Sequence, residues 1–203
     1  ILGDIGSGKS YVAKNFGFPF FDADHEVGEI YQNNKKIFNK LKKNLPKYIR
    51  SFPVDKREVT HAILGNNKNL NKIVKIVHLE IRKRMNAFLK KNKKKKIVIL
   101  DIPLLLENKI NNKNDVLIYV DSKKKSILKR LKKRVNYNSE LIKQFRNLQL
   151  PLAYKKKKSH FIIKNNFTKR SVNKGIYKIL KKLKNERNYF RHWNDWTVRK
   201  RWT

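Results

Sequence analysis

The chain has 203 residues, 39% of them apolar, enough for one ordinary core and too little for two unrelated domains. It has no Cys, which excludes a disulfide framework and any Cys-based zinc site and fits a reducing compartment, the cytoplasm by default. Fifty-two Lys and Arg against 15 Asp and Glu give +37, a field that attracts polyanions, but the excess is mostly Lys, spread from Lys35 to Lys184, as compositional drift would leave it. Weak, salt-sensitive nucleic-acid binding is the expected consequence.

Ile1-Leu2 reads as the end of a strand, and because a strand that feeds a glycine loop normally has more residues, the N-terminus reads as clipped. Gly3 to Ser10 forms the loop and a helix start, which continues from Tyr11 to Phe16. Phe18 to Phe21 suits a buried strand ending in Asp22-Ala23-Asp24. His25 to Lys43 is amphipathic at helical spacing, with Val27, Ile30, Tyr31, Ile37, Phe38 and Leu41 inward, and Pro46 and Pro53 punctuate the loop that follows. Val59 to Leu64 reads as a short helix stopping at Gly65, and Leu70 to Leu89 as a longer one. Ile97 to Leu100, closed by Asp101, and Val116 to Val120, closed by Asp121, are unbroken apolar runs typical of central parallel strands. Lys123 to Arg134 is a basic helix, Ser139 to Leu148 a helix capped by Ser139, Phe161 to Ile163 a last strand and Val172 to Leu183 the closing helix. From Asn185 to Thr203, Trp193, Trp196 and Trp202 are interleaved with Arg and His without a periodic face. No apolar run approaches the roughly 18 to 20 residues that cross a bilayer.

Gly3-Asp4-Ile5-Gly6-Ser7-Gly8-Lys9-Ser10 matches G-x-x-x-x-G-K-[ST] in full, between a strand and a helix. The glycines let backbone N–H groups turn towards phosphate oxygens, and the helix N-terminus adds partial positive charge. Lys9 is expected to face solvent and neutralise β/γ-phosphate charge, and Ser10 to ligate Mg²⁺, with Tyr11 beside the bound nucleotide. Asp22 and Asp24 stand at a strand's C-terminal end, where open α/β sheets bind ligands; one caps the following helix and the other is a candidate to activate an acceptor hydroxyl.

Five elements resemble, in order, those of the dephospho-coenzyme A kinases. Phe21-Asp22-Ala23-Asp24 is similar to the family's D-A-D, and Pro103-Leu104-Leu105-Leu106-Glu107 to its P-L-L-x-E. Ile127 to Arg134 resembles its lid helix, Q-L-x-R-L-x-x-R; Arg146 to Leu152 its R-I-x-x-Q-x-P; and Phe161 to Asn165 its closing V-I-x-N. The resemblance covers Ile1 to about Leu183 and implies ATP-dependent phosphorylation of the ribose 3′-hydroxyl of dephospho-CoA. It implies further that Asp24 activates that hydroxyl, that Arg130 and Arg134 clamp phosphates as a lid closes, and that Asn165 lies near the adenine. Pro103, Leu104 and Glu107 would serve the acceptor side, Glu107 as a contact or as a structural partner. His78 and Arg82 resemble H-P-x-x-R in the acceptor-binding region, with Leu79 in place of proline. Other departures are a short link from Ser10 to Asp22, Ile127 for the lid glutamine, and Ser159-His160 where A-D is usual. Asp101 is placed either to reach Mg²⁺ through water or to cap the turn before Pro103.

The expected architecture is a three-layer α/β P-loop NTPase fold with one five-stranded parallel sheet, a helical acceptor-binding insertion over about 28–94 and a lid over about 126–157. The kinase domain would span 1–184 and act as a monomer on ATP and dephospho-CoA with Mg²⁺. The rival readings are a P-loop kinase acting on a nucleoside or nucleotide, and a basic nucleic-acid-binding protein whose Trp residues stack on bases.

Overall fold

The computed structural model of the chain describes residues 1–135 and 137–185. All its strand pairs are parallel, and each short apolar run that the sequence marks as a strand is one. β1 (Leu2–Gly3) pairs with β4 (Ile118–Asp121), and β4 with β5 (Phe161–Lys164). β2 (Phe20–Asp22) pairs with β3 (Ile99–Asp101), so that Asp22 and Asp101 lie side by side at the same end.

The expected single five-stranded sheet is therefore two hydrogen-bonded sheets, β1-β4-β5 and β2-β3. The reason is the brevity of β1, whose two residues ladder only with β4. A bond from the Ile1 amino group to the Leu100 carbonyl, at 2.7 Å, spans the gap. Ile97 and Val98 pack on the cores without laddering, which trims β3 to three residues.

Alternation along β4 shows why both faces are covered. Ile118 and Val120 enter one core with Val12, Ala13, Ile163, Val172 and Ile176, between the sheets and helices α1 (Lys9–Asn15) and α9 (Lys169–Asn185). Leu117 and Tyr119 enter a second core, built on the other face with four helices. These are α2 (Ala23–Asn33), α3 (Lys35–Asn44), α4 (Lys56–Gly65) and α5 (Asn67–Lys91).

Asn34 divides the expected helix from His25 to Lys43: its backbone leaves the helical region at φ −103°, ψ 89°, and its side chain accepts from Ile37 N at 3.0 Å to start α3. Asp55 likewise starts α4 earlier than expected. α5 runs 25 residues through Leu79, burying Ile73, Val77, Ile81, Met85 and Leu89 on one stripe.

α6 (Lys124–Lys132), α7 (Ser139–Asn147) and α8 (Leu152–Lys158) lie between β4 and β5. α7 is capped by Asn138, not by Ser139, through a 2.8 Å bond from Leu141 N. The sequence gives no helical stripe for α8, whose seven residues include four consecutive lysines. Asn185 closes α9, and the remaining tail residues, including Trp193, Trp196 and Trp202, lie outside the described residues. Among the described residues no helix is long and apolar enough to cross a membrane.

Candidate active site

Gly3, Gly6 and Gly8 take φ of 148°, 80° and 90°, the left-handed region that glycine tolerates. Two of them are also sites of close approach, since a Cβ would lie 2.8 Å from the Val120 carbonyl at Gly3 and 2.6 Å from Asn165 Nδ2 at Gly8. Gly8 is the N-cap that hands the loop to α1, whose first-turn N–H groups have no acceptor within the helix. Ser7 is fully buried and its carbonyl accepts from Asn165 Nδ2 and from Ser122 Oγ, each at 2.9 Å. Asp4 accepts from Ile5 N at 2.7 Å and from Arg146 at 3.1 Å, which ties α7 to the loop.

Lys9 departs from its expected solvent-facing pose. Its ammonium folds back on the loop, donating to the carbonyls of Asp4 at 2.9 Å and Gly3 at 3.3 Å. Burial lowers its pKa, Asp101 and Asp24 oppose that shift, and Lys155 adds to it. A triphosphate entering the loop would exchange two neutral acceptors for charged ones, so the lysine is preset for an anion.

Ser10 donates to Asp101 Oδ2 at 2.5 Å. Asp101 is buried, and its Oδ1 has no hydrogen-bond partner among the described residues. A hydroxyl and a carboxylate with an orphaned oxygen, beside a phosphate loop, form a hard-oxygen set that suits Mg²⁺. The cap for the Pro103 turn, the other reading of Asp101, is not among its bonds.

The two neighbouring carboxylates divide their tasks. Asp22 caps α2, accepting from His25 N at 3.1 Å. Asp24, on the first turn of α2, makes no hydrogen bond among the described residues and is reachable by water on one side. Crowding by protein on its other sides raises its pKa, the Asp101 and Asp22 charges add to the rise, and Lys9 and Arg134 oppose it. Lys9, Asp24, Asp101 and Arg134 thus share one electrostatic neighbourhood at the C-terminal ends of β2 and β3.

Arg130 is placed differently from Arg134. Its guanidinium lies over the Phe167 ring, 4.5 Å from the centroid. Asn165 is buried, with Nδ2 on the Ser7 carbonyl and Oδ1 accepting from Phe167 N at 2.8 Å, so its amide braces the loop.

The family model for dephospho-CoA kinase matches residues 1–170. The chain belongs to that family. It is 32% identical over 177 residues to the dephospho-CoA kinase of Wolbachia pipientis wMel, covering 85% of this chain and 90% of that one. To the dephospho-CoA kinase of Bacillus thuringiensis subsp. konkukian it is 30% identical over 191 residues, covering 90% and 94%. In shape it is similar to TT1252 from Thermus thermophilus, with a TM-score of 0.69 at 22% identity, covering 90% of this chain and 95% of that one. The dephospho-CoA kinase from Campylobacter jejuni gives 0.55 at 23% with the same coverage. These two likenesses speak to the fold alone.

In this member of the dephospho-CoA kinase family, Pro103 and Leu104 open a turn segment after β3 that Leu105 anchors in the core. Glu107 points inward, to Lys155 at 2.6 Å and Leu150 N at 3.0 Å. His78 and Arg82 sit one turn apart on α5; burial, then the Arg82 charge, lowers the His78 pKa. No hydrogen bond among the described residues joins either of them to the phosphate loop. Sequence reasoning missed Phe167, Ser122, Lys155 and the Asp4–Arg146 pair. Lys155 had no signal, being one lysine in a run of four, whereas an Asp inside a phosphate loop was itself a sign that a cation would be needed.

Proposed function

We propose that the chain transfers the γ-phosphoryl group of ATP to the ribose 3′-hydroxyl of dephospho-CoA, giving coenzyme A and ADP. The observation that carries this reading is a complete phosphate loop opening onto Asp24 and Arg134 in a chain that the dephospho-CoA kinase family matches over residues 1–170. Gly3 to Tyr11 holds the triphosphate through loop amides and the α1 N-terminus, and Lys9 leaves the carbonyls of Gly3 and Asp4 for the β/γ oxygens. Mg²⁺, when bound, would be held by Ser10 and Asp101 and would neutralise charge on those oxygens.

Asp24 takes the proton of the 3′-hydroxyl as its oxygen bonds to the γ-phosphorus, and the bond to the β-bridging oxygen breaks towards ADP. A raised pKa suits a proton acceptor. Arg134 stabilises charge on the group in transit. Arg130 serves as its partner when the lid, about 126–157, closes; before closure it rests on Phe167 beside Asn165, on the nucleotide's side. The helical unit of about 28–94, with His78 and Arg82, and the turn from Pro103 to Glu107 receive the acceptor. The enzyme works as a cytoplasmic monomer through its domain of 1–184, and the +37 charge of the full chain gives weak, non-specific contact with nucleic acid.

Incubation with dephospho-CoA and Mg·ATP, followed by mass spectrometry, tests the reading. The expected product is one phosphoryl group heavier than dephospho-CoA, with no comparable product from nucleosides or nucleotides. A chain that phosphorylates only these last acceptors, or that binds RNA without turning over ATP, would overturn it.

A further inference from the structure

Lys155 is the largest fully buried side chain among the described residues, and it lies on a helix otherwise studded with exposed lysines. Its ammonium pairs with Glu107 at 2.6 Å, side-chain exposures being 0% and 9%, and donates to Gln149 Oε1 at 3.2 Å. Glu107 Oε1 also accepts from Leu150 N at 3.0 Å, whereas Oε2 is enclosed and has no hydrogen-bond partner among the described residues. The pair thus joins the end of the lid segment to the turn that follows β3.

Three features make this more than a filled gap. Among the described residues the turn's backbone bonds are local, such as Asn108 N to Leu104 O and Ile110 N to Leu105 O, so that what ties it to the rest of the molecule is side-chain contact, by Leu105, Leu106 and Ile110 in the core and by Glu107 on Lys155. α8 packs against β1, the strand that leads into the Gly3–Ser10 loop, which brings the helix that carries Lys155 up to the base of that loop. A buried ion pair is also a poor device for stability alone, because an apolar pair of similar volume often serves as well.

We infer that Lys155 is a positioning residue for the acceptor: through Glu107 it sets the Pro103–Glu107 turn relative to the phosphate loop and the lid. This rests on the reading of that turn as an acceptor contact. Docking of α8 and placement of the turn are then one event, and the lid end and the acceptor wall move together.

The test compares the parent chain with Lys155→Met and with Lys155→Met/Glu107→Gln, measuring Tm and the KM values for dephospho-CoA and ATP. The single variant leaves a buried carboxylate uncompensated and is expected to lose stability. The double variant is neutral, keeps an acceptor for Leu150 N, and is expected to regain most of the Tm. It is nonetheless expected to keep a KM for dephospho-CoA raised by about tenfold or more, with the KM for ATP within about twofold of the parent. A double variant that regains both Tm and acceptor KM would overturn the inference, as would an ATP KM that rises as far as the acceptor's. A parent chain that does not turn over dephospho-CoA would overturn the functional reading, and this inference with it.

Discussion

The two halves of the proposed active site are built in different ways. The phosphate side is eight consecutive residues, Gly3 to Ser10, braced by a few side chains that grip its carbonyls. The proposed acceptor side is assembled from distant pieces: α2 carries Asp24, a turn carries Glu107, and α8 carries Lys155, 48 positions further on. Backbone amides and a helix N-terminus bind any polyphosphate, so their pattern can be written as a short motif. A shaped acceptor wall needs pairs between remote segments, which no local pattern records. Nucleotide binding should therefore fail abruptly at single positions, and acceptor recognition by degrees.

The largest expected effect lies in the loop. Lys9→Met should lower kcat by about a thousandfold or more, because the lost charge stabilises a transition state inside a protein cleft. The fold should survive. The carbonyls of Gly3 and Asp4 lose a donor, but burial had already lowered the lysine's pKa, so removing the charge also removes a desolvation cost. A far-ultraviolet circular dichroism spectrum like the parent's, with turnover above about a tenth of it, would show that the Lys9 charge is not needed for phosphoryl transfer.

Next in size is Asp24→Asn, expected to lower kcat by at least about a hundredfold while changing ATP affinity little. Its stability effect has the opposite sign. The folded pKa of Asp24 is raised, so the folded state gains from the protonated form at low pH and loses that gain as pH rises through the folded pKa. Asn, neutral throughout, should raise Tm slightly at neutral pH, with the difference closing as pH falls towards the ordinary aspartate range. The acid limb of kcat in the parent should fall above that range for the same reason. Asp22→Asn is the control: it keeps an oxygen for His25 N, and Asn caps helices well, so little should change. A larger loss at Asp22 would reverse the assignment within the pair.

Asp101→Asn should act more narrowly. It leaves an acceptor for Ser10 but removes the charge beside it, so the Mg²⁺ concentration for half-maximal rate should rise about tenfold, and metal-free nucleotide binding should stay near the parent's. An unchanged Mg²⁺ dependence would return Asp101 to a structural part.

Legibility in the sequence follows the same division. The strands announced themselves through apolar runs, α5 through apolar residues at three-four spacing, and the loop, with the start of α1, through its motif. The break at Asn34 was hidden because the apolar spacing carries on across it, from Ile30 and Tyr31 to Ile37, Phe38 and Leu41; only the side-chain bond from Ile37 N reveals that Asn34 caps a new helix. The split between β1-β4-β5 and β2-β3 arises from how few residues β1 offers, a matter of ladder geometry and not of composition. Lys155 was invisible for a different reason. Lys155, Lys156, Lys157 and Lys158 look alike as letters, yet one is buried on Glu107, one bridges to Asp121 at 2.8 Å, and the other two face water.

The smallest expected effect belongs to the residues after Asn185. A chain ending there should keep both KM values within about twofold and its Tm within about 2 °C. In α9 the inward residues Val172, Ile176 and Ile179 are buried, and the last packed side chain is Leu183, two positions before the cut. The residues proposed for both halves of the active site precede α9, and the match to the family ends at 170. Charge should matter little as well, since residues 186–203 carry five Lys and Arg against two acidic residues and the shortened chain keeps +34 of +37. Weak RNA association should accordingly persist, with a salt dependence close to the parent's. A fall in Tm beyond about 5 °C would place the segment in the core, and loss of RNA association at unchanged turnover would show that its Trp and Arg residues form a separate binding element.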